Sequence, residues 1–143
     1  MKNKKNALTN RERDLYEDFT AGSVFNAQMV GDDFGPLLTE IQRKTGINVF
    51  NVTVEKGADL PSVLDTVLLG LSSYRTGAPV LVNLRMVNNL NTKHLDELNE
   101  VLSSRVVLDT PLSRNIFLLA TGQFGVGSRM CFNNQTYNNV VNS

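Results

Sequence analysis

The chain has 143 residues, with 14 Lys and Arg, 14 Asp and Glu, one His and one Cys, so its formal net charge is zero. This length suits one domain, and 41% hydrophobic residues can form its core without disulfides. Zero net charge argues against a general binder of nucleic acid or of membrane surfaces, because such proteins carry a basic excess. No apolar run approaches the ~18 residues of a membrane span, and no apolar segment follows the basic start, so we expect a cytoplasmic protein.

A capping box marks the first predicted helix. Thr9 and Glu12 stand where each side chain can satisfy the other's backbone N–H, and the helix should end near Ala21. The β-prone run 23–30 stops at the turn formers of 31–36, which predicts a strand followed by a turn.

The second helix is predicted over 36–45. Pro36 favours a first helical turn, and Gly46 stands where a left-handed cap belongs. Residues 47–54 then alternate between apolar and polar, except at Phe50, and so predict a second strand.

Apolar residues at helical spacing predict a third helix over 61–74. Residues 80–84 form a short apolar run that is typical of a buried parallel strand. Its polar member, Asn83, is expected at a strand edge or hydrogen-bonded in the core, and in either case we assign it a structural role.

The last predicted elements follow Asn91, which caps a helix over 92–104. A small extra strand is predicted at 106–108 and a final strand at 116–120. Strands that alternate with helices predict a three-layer α/β sandwich with a mostly parallel central sheet.

We expect one α/β domain over residues 1–143, with flexible segments at 1–8 and 124–143. The Asn-rich tail has little to bury, and it could serve as a docking segment.

The order of motifs between residues 79 and 123 adds to this pattern. A buried strand leads through Val-Asn-Asn-Leu into a helix that contains Leu-Asp-Glu-Leu-Asn-Glu-Val-Leu, and a later strand ends in Ala-Thr-Gly-Gln. This order resembles the large subdomain of an AAA+ ATPase, closest to the MoxR and dynein-related branch. The resemblance covers 22–123, about seven tenths of the chain. It implies a P-loop NTPase-like sheet in which the fourth strand lies between the first and the third.

The phosphate loop of that family, the Walker A motif, is degenerate here. Its GxxxxGK[ST] pattern needs glycines that surround the phosphates and a Lys that reaches the β- and γ-oxygens. Residues 31–36 have two glycines at the wrong spacing, with Phe34 or Pro36 at the Lys position. Asp32 and Asp33 lie where a triphosphate would bind, and each pair of like charges costs on the order of a few kcal/mol.

The Walker B acids, which hold Mg²⁺ and orient the attacking water, are also replaced. Ungapped placement puts Arg85 and Met86 there, and Gln123 replaces the family's sensor Asn. An Arg has the wrong charge for a magnesium site, and a Met cannot polarise water. The resemblance therefore implies the scaffold without the activity, a pseudo-ATPase with no cofactor and no catalytic residue.

We expect a non-enzymatic protein-interaction module on a degenerate AAA+-like scaffold. Its partner would be an AAA+ ATPase or a second copy, because the family assembles side by side; neither nucleic acid nor a membrane is expected. Two alternatives remain open: a nucleotide or small-ligand sensor that does not hydrolyse, and a metal-dependent enzyme that uses Asp32 and Asp33. The predicted contact surface consists of Asp32, Asp33, Phe34, Arg85, Asn88 and Gln123.

Other chemistry-bearing residues favour structural interpretations. His94 has no identifiable nucleophile partner, and Cys131 has no His placed beside it. The glycine-rich run 122–129 fits neither phosphate-loop spacing and indicates a loop. Asp32 and Asp33 are typical of a helix N-terminal cap, with a cation site as the alternative.

Overall fold

The computed structural model describes residues 8–20, 26–30 and 35–122. Strands and helices alternate along the chain. In chain order the elements are α1 (Asn10–Thr20), β1 (Asn26–Val30), α2 (Gly35–Thr45), β2 (Asn48–Thr53), α3 (Leu60–Leu71), β3 (Val80–Arg85), a 3₁₀ turn (Val87–Asn89), α4 (Thr92–Ser104), β4 (Val106–Val107), β5 (Thr110–Pro111) and β6 (Ile116–Gly122).

Within the described residues, the central sheet contains four strands in the order β2, β3, β6, β1, and every neighbouring pair is parallel. β6 therefore lies between β1 and β3, so the strand order expected from the sequence is confirmed. Helices α1 and α2 cover one face of the sheet, and α3 and α4 cover the other. The fold is a three-layer α/β sandwich, as predicted.

Two apolar clusters hold the layers together. The larger lies between the sheet and the helices α3 and α4, where Val67, Val82 and Leu98 are completely buried. The smaller lies beneath α2, where Ile41 packs in one cluster with Leu81. Because β3 is buried on both faces, a continuous apolar run is the pattern that its position requires.

Local capping explains where the helices begin and end. α3 begins at Leu60 because Asp59 caps it, its carboxylate accepting a 3.1 Å hydrogen bond from the backbone N–H of Ser62. The predicted end at Tyr74 is wrong: α3 ends at Leu71, and the Tyr74 N–H then bonds to the Leu71 carbonyl, three residues back. The predicted cap at Gly46 is confirmed by its φ of 82°, and α4 has the predicted range.

A short β-hairpin, with two residues in each strand, forms where the extra strand was predicted. β4 pairs antiparallel with β5 and does not join the central sheet, so the prediction for 106–108 is wrong at Leu108. Leu108 and Asp109 form the turn with φ values of 47° and 69°, the type I′ geometry that favours Asn-Gly. A left-handed Leu costs roughly 1–2 kcal/mol, so the turn is strained.

Phe50 interrupts the alternation in β2 because its ring faces α3. The ring lies directly over Gly70, and its centroid is 6.2 Å from that of the Tyr74 ring. A Cβ at position 70 would overlap the Phe50 ring, so this approach requires a glycine.

Some sequence-based expectations lie outside the described residues: the turn at 31–34, the start 1–7 and the tail 124–143. Leu8, at the first described position, packs against the smaller cluster. Within the part of the chain that the structure describes, no helix is long and apolar enough to cross a bilayer.

A buried ion pair joins α1 to the end of α2. The predicted capping box is confirmed, because the Thr9 N–H donates to Glu12 Oε1 at 2.8 Å and the Glu12 N–H donates to Thr9 Oγ1 at 3.2 Å. Lys44 Nζ donates to the same Glu12 oxygen at 2.7 Å, and only 8% and 6% of the Lys44 and Glu12 side chains are exposed. Burial raises the pKa of Glu12, but the hydrogen bonds from Lys44 and Thr9 and the charge of Lys44 outweigh it and hold the pKa below its ordinary value.

Glu12→Gln should lower the free energy of unfolding by about 1–3 kcal/mol at neutral pH. This is less than a fully enclosed pair would lose, because the Lys44 stem can turn its ammonium toward water. The folded-state pKa of Glu12 is depressed, so its stabilisation is present above the unfolded-state value of 4.5 and is lost as the pH falls through the folded-state value. Urea unfolding from neutral pH down to about pH 3 measures the difference between the two proteins.

Glu40→Gln is the matched control, because Glu40 pairs with Arg43 on the exposed surface of α2. It should leave the stability unchanged within error. A difference between Glu12→Gln and wild type that stays constant into acid would contradict the assigned role of the ion pair.

Candidate functional site

The carboxyl ends of the parallel strands meet at one edge of the sheet, here called the carboxyl edge. β1 ends at Val30, directly opposite Gly122 at the end of β6, and β3 ends beside them at Arg85. Open α/β sheets bind their ligands at this edge. Of the six predicted contact residues, the structure describes Arg85 and Asn88; Asp32, Asp33, Phe34 and Gln123 lie outside the described residues.

Arg85 is the last residue of β3 and is partly buried. Its Nη1 donates to Thr53 Oγ1 at 3.3 Å, across to the end of β2. β3 lies between β2 and β6, so its final residue stands in the middle of the carboxyl edge. The structure thus places a guanidinium at the end of this central strand.

The 3₁₀ turn after β3 places Asn88. Met86 enters the turn in a left-handed conformation with a φ of 60°, and Val87 is completely buried. Asn89 Nδ2 donates to the carbonyl oxygen of Val54 at 2.7 Å, which ties the turn to the end of β2. Asn88 is partly buried within this turn. The structure thus brings Arg85 and Asn88 to the same edge.

A polar layer crosses three strands just below this edge. Asn83 of β3 is 0% exposed, and its Nδ2 donates to Asn51 Oδ1 of β2 at 3.0 Å. Thr121 of β6 donates its hydroxyl to Asn83 Oδ1 at 3.3 Å, with the carbonyl oxygen of Leu84 as a second acceptor at 3.4 Å. Asn83 is therefore satisfied on both sides, which confirms the expectation that it is hydrogen-bonded in the core.

The register explains why the polar residues gather. Side chains two residues apart share a face, so Asn83 and Arg85 of β3 stand on the same face as Asn51 and Thr53 of β2. This is the face that α2 covers with apolar contacts near the amino ends of the strands, where Leu81 lies. The covered face is thus apolar at its amino end and polar at its carboxyl end.

Sequence reasoning missed Asn51, Thr53 and Thr121. A usable signal existed, because Asn51 and Asn83 each stand two residues before the end of their strands. Aligning the strand ends of a parallel sheet would have paired them.

The side chains at the carboxyl edge are polar. They offer amides, hydroxyls and one guanidinium, which donate and accept hydrogen bonds and hold one positive charge. Among the described residues, no group of three His, Cys, Asp or Glu could hold a metal ion. Outside this edge, His94 Nε2 lies 4.0 Å from Glu97 Oε1 of its own helix.

The comparisons with known proteins give a distant likeness. A chain in the structure of Drosophila ORC bound to AT-rich DNA and Cdc6 has a TM-score of 0.48 and 13% identity, over 86% of this chain and 49% of that chain. A chain in the structure of Drosophila ORC bound to GC-rich DNA and Cdc6 has a TM-score of 0.46 and 13% identity, over 88% of this chain and 51% of that chain. The present chain spans about half the length of either. No family model and no curated protein matches it.

Thr121→Val should lower the free energy of unfolding by about 1–3 kcal/mol, because it removes a donor from the fully buried oxygen of Asn83. Asn83→Leu should lower the free energy of unfolding less in the Thr121→Val protein than in the wild type. In the Thr121→Val protein it also removes an Asn83 oxygen that has lost its hydrogen-bond donor. Urea unfolding of the four proteins measures this coupling.

Thr53→Val is the control, because Thr53 is exposed and can exchange its hydrogen bond for water. If Thr121→Val changes the free energy of unfolding no more than Thr53→Val does, the polar layer does not stabilise the sheet.

Proposed function

We propose that the protein is a non-catalytic interaction module on an AAA+-like scaffold, which binds a protein partner through its carboxyl edge. The observation that carries the proposal is the guanidinium of Arg85 at the end of the central strand. The strand order β2, β3, β6, β1 supports the scaffold, because it is the order that the sequence resemblance requires.

Arg85 opposes magnesium-dependent nucleotide chemistry at this position. A divalent cation about 4 Å from a guanidinium would be repelled by about 8 kcal/mol at an effective dielectric of about 20. Its hydrogen bond to Thr53 holds the Arg85 side chain along the edge. A carboxylate at this place would attract the cation, so the substitution reverses the sign of the interaction.

The polar layer supports partner binding in place of catalysis. It is completely buried at Asn83 and becomes exposed toward β2, where Asn51 and Thr53 meet solvent. A surface with a rigid, hydrogen-bonded base and exposed polar groups is suited to forming hydrogen bonds with another protein. Arg85 adds a charge that pairs with carboxylates, and Asp32, Asp33, Phe34, Asn88 and Gln123 complete the proposed contact surface.

ATP and ADP, with and without Mg²⁺, should leave the melting temperature unchanged, and no phosphate should be released from ATP. A ligand at about 100 times its Kd would add about 2.7 kcal/mol of stability, which a thermal-shift assay detects readily. A saturable rise in melting temperature with nucleotide alone would contradict the interaction module and favour the nucleotide sensor. A shift with Mg²⁺ or Mn²⁺ alone that is lost in Asp33→Ala would favour the enzyme alternative.

Arg85→Glu should reduce the recovery of the native partner about tenfold when the tagged protein is purified from its host, and the effect should recur with the purified partner. Arg43→Glu, a charge reversal at an exposed residue on α2, should keep full binding. Circular dichroism and melting temperature confirm that both variants fold. Equal recovery with all three proteins would exclude the carboxyl edge as the contact surface.

A further inference from the structure

A cleft lies on the opposite side of the sheet from Arg85, at the amino ends of β3 and β6. Its volume is ≈ 290 Å³. One wall is the end of α3 and the loop that follows, with Leu68, Leu71 and Tyr74, and the other wall is the chain that leaves the hairpin, with Pro111 and Leu112. Polar residues such as Ser72, Thr76 and Thr110 complete the lining, and the cleft is open to solvent.

The hairpin wall is held in place by Arg105. This residue ends α4 with a φ of 60°, and its Nη2 donates to the carbonyl oxygens of Ser113 and Ile116, each at 2.7 Å. The Leu112 N–H donates to the Arg105 carbonyl at 2.8 Å. The end of the cleft is also fixed, since Asn115 Nδ2 donates to the Ala78 carbonyl at 2.6 Å. A cleft with fixed walls loses little conformational entropy when it is filled.

Three exposed apolar side chains belong to the elements that flank the cleft, although none of them lines it. Among the described residues, the exposed large hydrophobic side chains are Leu69 (67%), Val106 (37%) and Leu108 (42%). Leu69 stands on α3 beside the lining residue Leu68, and the other two belong to the hairpin. Leu108 is exposed, and its left-handed backbone conformation is strained. An Asn at this position would be equally exposed but would adopt the same conformation without strain. Such a residue indicates a constraint other than stability.

The charged side chain that lines the cleft is an arginine. Arg75 is the one charged residue among those that line it, and Arg114 stands between the lining residues Ser113 and Asn115. Burial, and then the positive charge of Arg114, hold the pKa of Arg105 below its ordinary value. The acidic group nearest in sequence is Asp109 in the hairpin turn. The charge therefore favours an occupant with carboxylates beside its apolar part.

We propose that this cleft and the hairpin form a docking surface for an extended segment of a partner protein, in which a large apolar side chain is flanked by acidic residues. The apolar side chain enters between Leu71 and Leu112, the acidic residues approach Arg75, and Leu108 contacts the segment beyond the cleft. The surface is separate from the carboxyl edge, so it does not depend on the function proposed for Arg85.

A phage-displayed random-peptide library, selected against the intact protein, tests this inference. The enriched peptides should combine a large apolar residue with neighbouring Asp or Glu. The affinity of a synthetic enriched peptide, measured by fluorescence polarisation, should fall about tenfold in Arg75→Glu. It should stay at the wild-type value in Arg43→Glu and in Arg85→Glu, which reverse charges elsewhere.

Leu108→Asn separates binding from stability. It relieves the strained turn, so the melting temperature should rise while the affinity for the peptide falls severalfold. Enrichment of basic peptides, the absence of any enriched sequence, or equal affinity in wild type, Arg75→Glu and Leu108→Asn would overturn the proposal.

Discussion

The burial of β3 between two strands and two layers of helices is the constraint from which the rest of the fold follows. A strand in this position has no access to water, so every polar group on it needs a protein partner. Asn83 meets the requirement because Asn51 lies directly opposite it on β2 and Thr121 lies diagonally across from it on β6, on the same face of the sheet. These two hydrogen bonds link the three strands β2, β3 and β6 in one register.

The same strand places a charged residue in the middle of the carboxyl edge. Its last residue, Arg85, pairs in register with Thr53, the last residue of β2. Arg85 makes that position cationic, and its bond to Thr53 directs the charge along the edge.

Most of the framework could be predicted from sequence because local signals carried it. Capping residues, glycines and apolar spacing located the helices, and α4 with its cap at Asn91 agrees residue by residue. The polar layer was visible only as one anomaly at Asn83, since its partners are more than thirty positions away in the chain. The cleft gave no signal, because its walls come from two distant segments and because the strained turn at Leu108 lacks the usual Asn or Gly.

The contact between Phe50 and Gly70 has a consequence for the cleft on the far side of α3. The missing side chain at position 70 lets the helix approach the sheet as closely as the aromatic ring permits. Leu68 and Leu71 lie in the same turn of α3 as Gly70 and line the cleft. The Phe50 ring therefore sets the distance between this part of α3 and the hairpin on the other side of the cleft. Exchanging Phe50 for a smaller or larger residue would therefore change the width of the cleft, with every residue that lines it left as it is.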